Sequence, residues 1–366
     1  MWTMPVAHYN FIPLSSGIVG PFVYAEGEFG GHGINVWQVF SANVVGHIAY
    51  NVSTYGTGTG SAIKADATKL FFMTGTLGPN QSYIHKADLL TNVVTGTTTL
   101  DNYYFDLHLN NAETYLYTTP DISRANSFKS MCRIDTSNLT FITDDYSGNF
   151  LLLSVFPGVF FFSQAVAVSA DDSLIWVVVS AAGLSDAYMV KIDAASMAIL
   201  ATYNLHTGTI EADIPHSMVW SLDNRYLYIL VNEINSGTDQ GIIIFDTITH
   251  TVVHTIIHSI NVGQATNYSY LSASNILYVT NTGSSTLSLF DMTSFTWVQD
   301  ISLDVSFTQG GYHIIHDADN LYIGGSYAVG APFISLTPFN LDGTGNTGGS
   351  NIIQYGNPPG TVTFPP

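Results

Sequence analysis

Apolar, β-branched runs with an aromatic near their middle return along this chain about every 50 residues. The aromatics are Tyr24, Phe72, Tyr117, Trp176, Tyr228, Tyr278 and Tyr322, at gaps of 48, 45, 59, 52, 50 and 44 residues. After most of them a second short run ends on a polar residue, at Gln38, Asp88, Asp135, Asp193, Asp246 and Asp291. A Thr/Ser-rich turn and a third run follow. Apolar and polar positions alternate in the second and third runs, which is the period of a strand and gives each one two faces. With an inner strand ahead of each unit, the pattern predicts an all-β chain: a seven-bladed β-propeller with four antiparallel strands per blade.

The predicted blades span approximately 9–49, 61–98, 106–144, 165–203, 217–257, 267–302 and 311–355. The 366 residues then form a single propeller domain with a Pro-rich tail at 356–366. The best-formed unit reads Asn275-Ile-Leu-Tyr-Val-Thr-Asn281, then Ser285-Thr-Leu-Ser-Leu-Phe-Asp291, then Thr296-Trp-Val-Gln-Asp-Ile301. Its Tyr278-Val279-Thr280-Asn281, the following Phe290-Asp291 and the Asp-Asn and Asp-Asp turns resemble the YVTN-type seven-bladed propellers, built on a WD40-like plan. The resemblance covers nearly the whole chain and implies the fold. Members of that family include surface and secreted proteins, and relatives of the architecture include sugar-lactone hydrolases.

One insertion breaks the rhythm. From the strand-ending Asp to the next inner strand the other units take about 18 to 24 residues, but Asp135 to Ala165 takes 30. The extra length carries Phe150, Leu151, Leu152, Leu153, Phe156, Phe160, Phe161 and Phe162. It is too short to span a bilayer, and Pro157-Gly158 splits it into two short strands or a turn. It is read either as extra core or as an apolar interface for another subunit or partner.

Charge narrows the partners. Eight Lys and Arg face 27 Asp and Glu, a net charge of −19, and only 10% of residues are charged. Phosphate binding needs clustered cations, and none are clustered here, so nucleic acid is not an expected partner. An anionic membrane surface is not an expected partner on the same ground, and no apolar run is long enough for membrane insertion. The lone Cys132 excludes an intrachain disulfide and reads as a small apolar filler. The N-terminal segment has neither the basic start nor the long apolar stretch of a signal peptide. Sequons at Asn51, Asn80, Asn138 and Asn267 lean toward a secreted protein.

Candidate chemistry is sparse. His250, His254 and His258 recur at intervals of four within a β-branched strand pattern. That spacing places them about 13 Å apart on a strand, too far to share a metal. Asp171-Asp172, Asp223-Asn224 and Asp317-Ala-Asp319-Asn320 precede the aromatic strands and read as tight hairpin turns. Counting back nine and eleven residues from each aromatic places Asp106, His108 and His313 on the inner strands, as polar candidates for a central channel. Rim loops offer Glu26, Glu28, His32, Glu211, Asp213, His216, Glu233 and Asp239, with no Lys or Arg among them. No nucleophile elbow and no zinc-protease motif occurs.

These readings favour a non-enzymatic propeller without a cofactor. It would act as a structural or interaction subunit of an extracellular or virion-surface assembly, through protein partners or self-assembly. The alternatives are a lactonase-like hydrolase using a divalent metal ion on the rim carboxylates, and a glycan- or peptide-binding propeller.

Overall fold

The computed structural model describes residues 9–12, 22–27, 33–38, 43–49, 57–63, 68–76, 81–91, 93–100, 104–120, 131–143, 161–181, 187–205, 212–234, 239–258, 269–281, 286–302, 313–316, 320–325 and 335–340, with side chains only inside 68–301. The first sheet holds β1 (Tyr9–Ile12), β2 (Phe22–Gly27), β3 (Gly33–Gln38) and β4 (Asn43–Ala49). The second holds β5 (Thr57–Ile63), β6 (Lys69–Thr76), β7 (Gln81–Asp88) and β8 (Val93–Thr99). The third holds β9 (Tyr104–Leu109), β10 (Tyr115–Pro120), β11 (Cys132–Asp135) and β12 (Phe141–Thr143). The fourth holds β13 (Phe161–Val168), β14 (Leu174–Ala181), β15 (Ala187–Asp193) and β16 (Ile199–Asn204). The fifth holds β17 (Ala212–Trp220), β18 (Tyr226–Ile234), β19 (Asp239–Asp246) and β20 (Thr251–His258). The sixth holds β21 (Ser269–Leu271), β22 (Ile276–Asn281), β23 (Thr286–Asp291) and β24 (Thr296–Ser302). The seventh, among the described residues, holds β25 (His313–His316), β26 (Asn320–Gly325) and β27 (Ser335–Asn340). Each strand pairs with its sequence neighbour within the sheet. The stretch to 355 expected in the last unit lies outside the described residues.

The core lies between sheets. One apolar cluster joins the second and third sheets through Phe71, Met73, Leu116 and Ile134. Others join the third to the fourth around Tyr117 and Val177, the fourth to the fifth around Trp176 and Phe245, and the fifth to the sixth around Tyr228 and Phe290. Alternate residues of one strand therefore serve two boundaries, as strand periodicity requires. The first strands of consecutive sheets approach one another from β1 to β25, and β25 also approaches β1.

Register corrects one member of the aromatic series. Trp176, Tyr117, Tyr228 and Tyr278 each stand two residues beyond the partner of the strand-ending Asp. In the second sheet that partner is Lys69, so the equivalent position is Phe71, not Phe72. Phe72 is buried on the opposite face, stacked on His85 at 4.6 Å. A slip of one residue along a strand exchanges its faces.

Side chains hold the turns in a repeated way. Between first and second strands, Asn110 Oδ1 accepts from the Thr114 and Tyr115 amides at 2.8 Å. Ser169 Oγ accepts from the Leu174 amide at 2.9 Å, and Ser221 Oγ from the Tyr226 amide at 2.8 Å. The residue completing each turn is left-handed, with φ of 57° at Glu113, 58° at Asp172, 56° at Asn224 and 59° at Asn275. Asp and Asn tolerate that region, so Asp171-Asp172 and Asp223-Asn224 do form the expected hairpin turns.

Candidate functional site

The strand-ending aspartates close the outer turns. Asp88 Oδ1 accepts from the Leu90 and Thr91 amides at 3.0 Å, and Asp246 Oδ1 from the Ile248 amide at 2.8 Å. Asp193 Oδ1 accepts from the Ser196 amide at 2.7 Å, and Asp291 Oδ1 from the Thr293 amide at 2.8 Å. Donors aimed at a carboxylate favour its charged form. The hydrogen bond from Lys69, with those from Thr91, lowers the Asp88 pKa to about 2. Ser137 and Ser196 likewise lower Asp135 and Asp193. These carboxylates act as turn caps.

Four residues after Asp135, Asp193, Asp246 and Asp291 the backbone turns left-handed again, at Leu139, Met197, His250 and Phe295. None is a residue that usually takes that conformation, and each lays its side chain on the preceding sheet. Leu139 joins the cluster of the second sheet, Met197 that of the third. The His250 ring stacks on Tyr203 at 4.7 Å, and Phe295 is stacked by His254 at 5.5 Å. The sequence signal was a large side chain at this place in successive repeats.

Three of the five described cations lie across the same boundaries. Two residues before the Asp, Lys86 donates to the Thr136 and Ser137 carbonyls of the third sheet, at 2.8 and 3.0 Å. Arg133 donates to the Ala194 carbonyl and, at 2.8 Å, to the Ala195 carbonyl of the fourth. Lys191 lies 3.4 Å from His250 Nε2 of the fifth; burial, and after it the Lys191 charge, holds the His250 pKa below its usual value. Lys69 pairs with Asp88, and Arg225 with Asp246 at 2.7 Å. All five cations among the described side chains are therefore bound internally.

The histidine series divides between two boundaries. His250 faces the fourth sheet, whereas His254 and His258 face the sixth. His258 Nε2 lies 3.1 Å from both Asp300 oxygens, and its ring stacks on Trp297. Among the described residues no three His, Cys, Asp or Glu gather within reach of one metal ion. Cys132 is buried.

The inner strands carry a recurring bulge that the sequence reading missed. Register shifts by one residue at Thr59 in β5, Gln164 in β13 and His216 in β17, and in β9 Asp106 and Leu107 together face Thr118. A bulge inserts an extra residue and re-aims the chain, and bulges concentrate near functional sites. Here every sheet from the second to the fifth supplies a polar residue at that place. Asp106 belongs to this row. His108 pairs instead with Tyr117, with its ring Nε2 shielded from solvent. His313 opens β25 opposite Gly324, two residues from the Ile315 that pairs with Tyr322. A fixed count of nine residues holds where the first turn has five residues; it is four long in the sixth sheet and three in the seventh.

The rim candidates share one edge, because the end of a second strand, the start of a third and the start of a first lie together. Glu26 is on β2, Asp213 and His216 on β17, Glu233 on β18 and Asp239 on β19. They divide between the first and fifth sheets, which are not neighbours. Glu28, His32 and Glu211 lie outside the described residues. Of the apolar insertion, Phe161 and Phe162 begin β13, opposite Ala181 and Ser180, while Phe150, Leu151, Leu152, Leu153, Phe156 and Phe160 lie outside the described residues.

No family model matches the chain, and no curated protein matches it in sequence. Solved structures do. Hydrazine synthase of Kuenenia stuttgartiensis superposes with a TM-score of 0.65 at 12% identity, over 88% of this chain and 94% of that one. The β-propeller domain of Cps50 (Swd1) from Myceliophteria thermophila gives 0.61 at 10% identity, over 88% and 94%. The Dos1 propeller gives 0.54 at 11% identity, over 82% and 71%. At such identities the likeness is one of fold alone, and with the sheets described above it makes this chain a β-propeller.

Proposed function

We propose that the chain is a seven-bladed propeller of the YVTN kind, closed where β25 meets β1, that acts without catalysis as an interaction subunit of an extracellular or virion-type assembly. The observation that carries this reading is the chemistry of the outer strands. β8, β12, β16 and β20 contain no charged residue, and β24 contains Asp300 alone. Val93, Ile142, Leu200, Val253, Ile257, Trp297 and Val298 stand exposed on them. Edge strands in soluble proteins are commonly guarded by charge or Pro, because their free amides and carbonyls invite another chain. A largely apolar perimeter, with Asp300 the single charge on these five strands, suits burial against protein partners. The insertion at 150–162 extends the same apolar character.

The test is particle size. Ile257→Lys places a charge on the outer strand, and Phe160→Ser removes one aromatic of the insertion. Sedimentation and light scattering of native material should show a smaller species for at least one of these variants. Unchanged size in both, with a stoichiometric divalent ion and lactone hydrolysis in the purified chain, would replace this reading with the hydrolase.

A further inference from the structure

We propose that Asn138 carries an N-linked glycan. The inference rests on the extracellular reading above and names a modification site within it. Asn138-Leu139-Thr140 is the one sequon of four that falls on described residues, in the outer turn between β11 and β12. Asn138 and Thr140 are both exposed. The turn uses only the oxygen of the Asn138 amide: Oδ1 accepts from the Thr140 amide at 2.8 Å and from Thr140 Oγ1 at 2.7 Å. Nδ2 makes no hydrogen bond to any described residue. The acceptor nitrogen can therefore be substituted without breaking the turn, whose position is fixed by the buried Leu139.

The repeat gives a second argument. In the second, fourth and sixth sheets the residue three after the Asp is a hydroxyl that bonds back to that carboxylate: Thr91 at 3.1 Å, Ser196 at 2.6 Å and Ser294 at 2.9 Å. In the third sheet Ser137 takes over this bond one place earlier, and Asn138 occupies the freed position. In the fifth sheet the residue at that place, Thr249, also carries a hydroxyl but bonds Thr251 instead; Asn138 alone among these five replaces the hydroxyl while the turn stays intact, which points to a use for the new side chain.

In the transfer, Nδ2 attacks the anomeric carbon of a lipid-diphosphate-linked oligosaccharide. The N–C bond forms, the C–O bond to the diphosphate breaks, the amide loses one proton to the transferase base, and the lipid diphosphate leaves. The test is the full chain secreted from glycosylating eukaryotic cells, deglycosylated by amidase in heavy-oxygen water and mapped by peptide mass. The label should appear at Asn138. Asn138→Gln and Thr140→Val should each lose one glycan by gel mobility, and Thr140→Ser should retain it. An unlabelled Asn138 beside a labelled Asn51, Asn80 or Asn267 would overturn the proposal and leave the extracellular reading standing. No label at any sequon would also overturn it, while particle size judges the assembly separately.

Discussion

His85 shows how a polar side chain is kept in this core. Its Nε2 lies 3.0 Å from Thr74 Oγ1 and its Nδ1 2.9 Å from Thr97 Oγ1, so the ring bridges β6 and β8 from its place on β7. Both partners are neutral hydroxyls, and burial lowers its pKa to about 4. In the unfolded chain the imidazole protonates near its usual 6.5, so between these values the unfolded state binds more protons. Stability should fall as pH falls from 6.5 toward 4, by roughly 3 kcal/mol for this group. Below that, Asp88 and Asp171, both lowered to about 2, contribute a further acid loss as their turn bonds are protonated away. Thermal midpoints measured across this range should slope downward, and His85→Gln should lose most of the slope above pH 4. An unchanged slope in that variant would place the titration elsewhere, with His250, shifted in the same direction, the next group to replace.

The outer turn is the element that ties sheet to sheet, and its left-handed residue is the part in contact. A Cβ added at Gly96 on β8 would meet Leu139 Cδ1 at 3.3 Å, so the second sheet's outer strand is shaped around the third sheet's turn. Leu139→Ala keeps the strained backbone and empties the contact, which should cost about 2–4 kcal/mol. Gly96→Ala should cost up to about 1 kcal/mol while Leu139 is present, and be near neutral when residue 139 is Ala. Denaturant unfolding of the two single variants and the double variant measures that coupling; strict additivity would mean the two positions do not touch. Strands, hairpin turns and buried aromatics were legible in the sequence because they follow periods of two and about 50. Three things were not. The Phe71 register turns on a one-residue slip between adjacent aromatics. The inner-strand rows shift because first turns differ in length. The bulge row of Thr59, Asp106, Gln164 and His216 adds one residue that leaves no mark on composition. The basic residues two before the Asp, Lys86, Arg133 and Lys191, were visible in successive repeats, but their use across a sheet boundary depends on which way each strand faces.

At the scale of the whole molecule, ring closure decides how damage spreads. In an open stack of repeats each unit feels only its neighbours in sequence, and a terminal unit frays alone. In a closed propeller the first unit has a second neighbour, the last. β1 approaches both β5 and β25, whereas among the described residues its hydrogen bonds run to β2 alone. Amides alternate in direction along a strand, so either Asn10→Pro or Phe11→Pro removes a bond to β2. In a closed ring the variant that loosens β1 should also speed amide exchange in β25, some 300 residues away in sequence, as well as in β5. Hydrogen exchange read by mass spectrometry on the full chain separates the two architectures. Faster exchange in β1 and β5 with β25 unchanged would mean that the sheets form an arc, and the interaction surface would then have to include the two open ends.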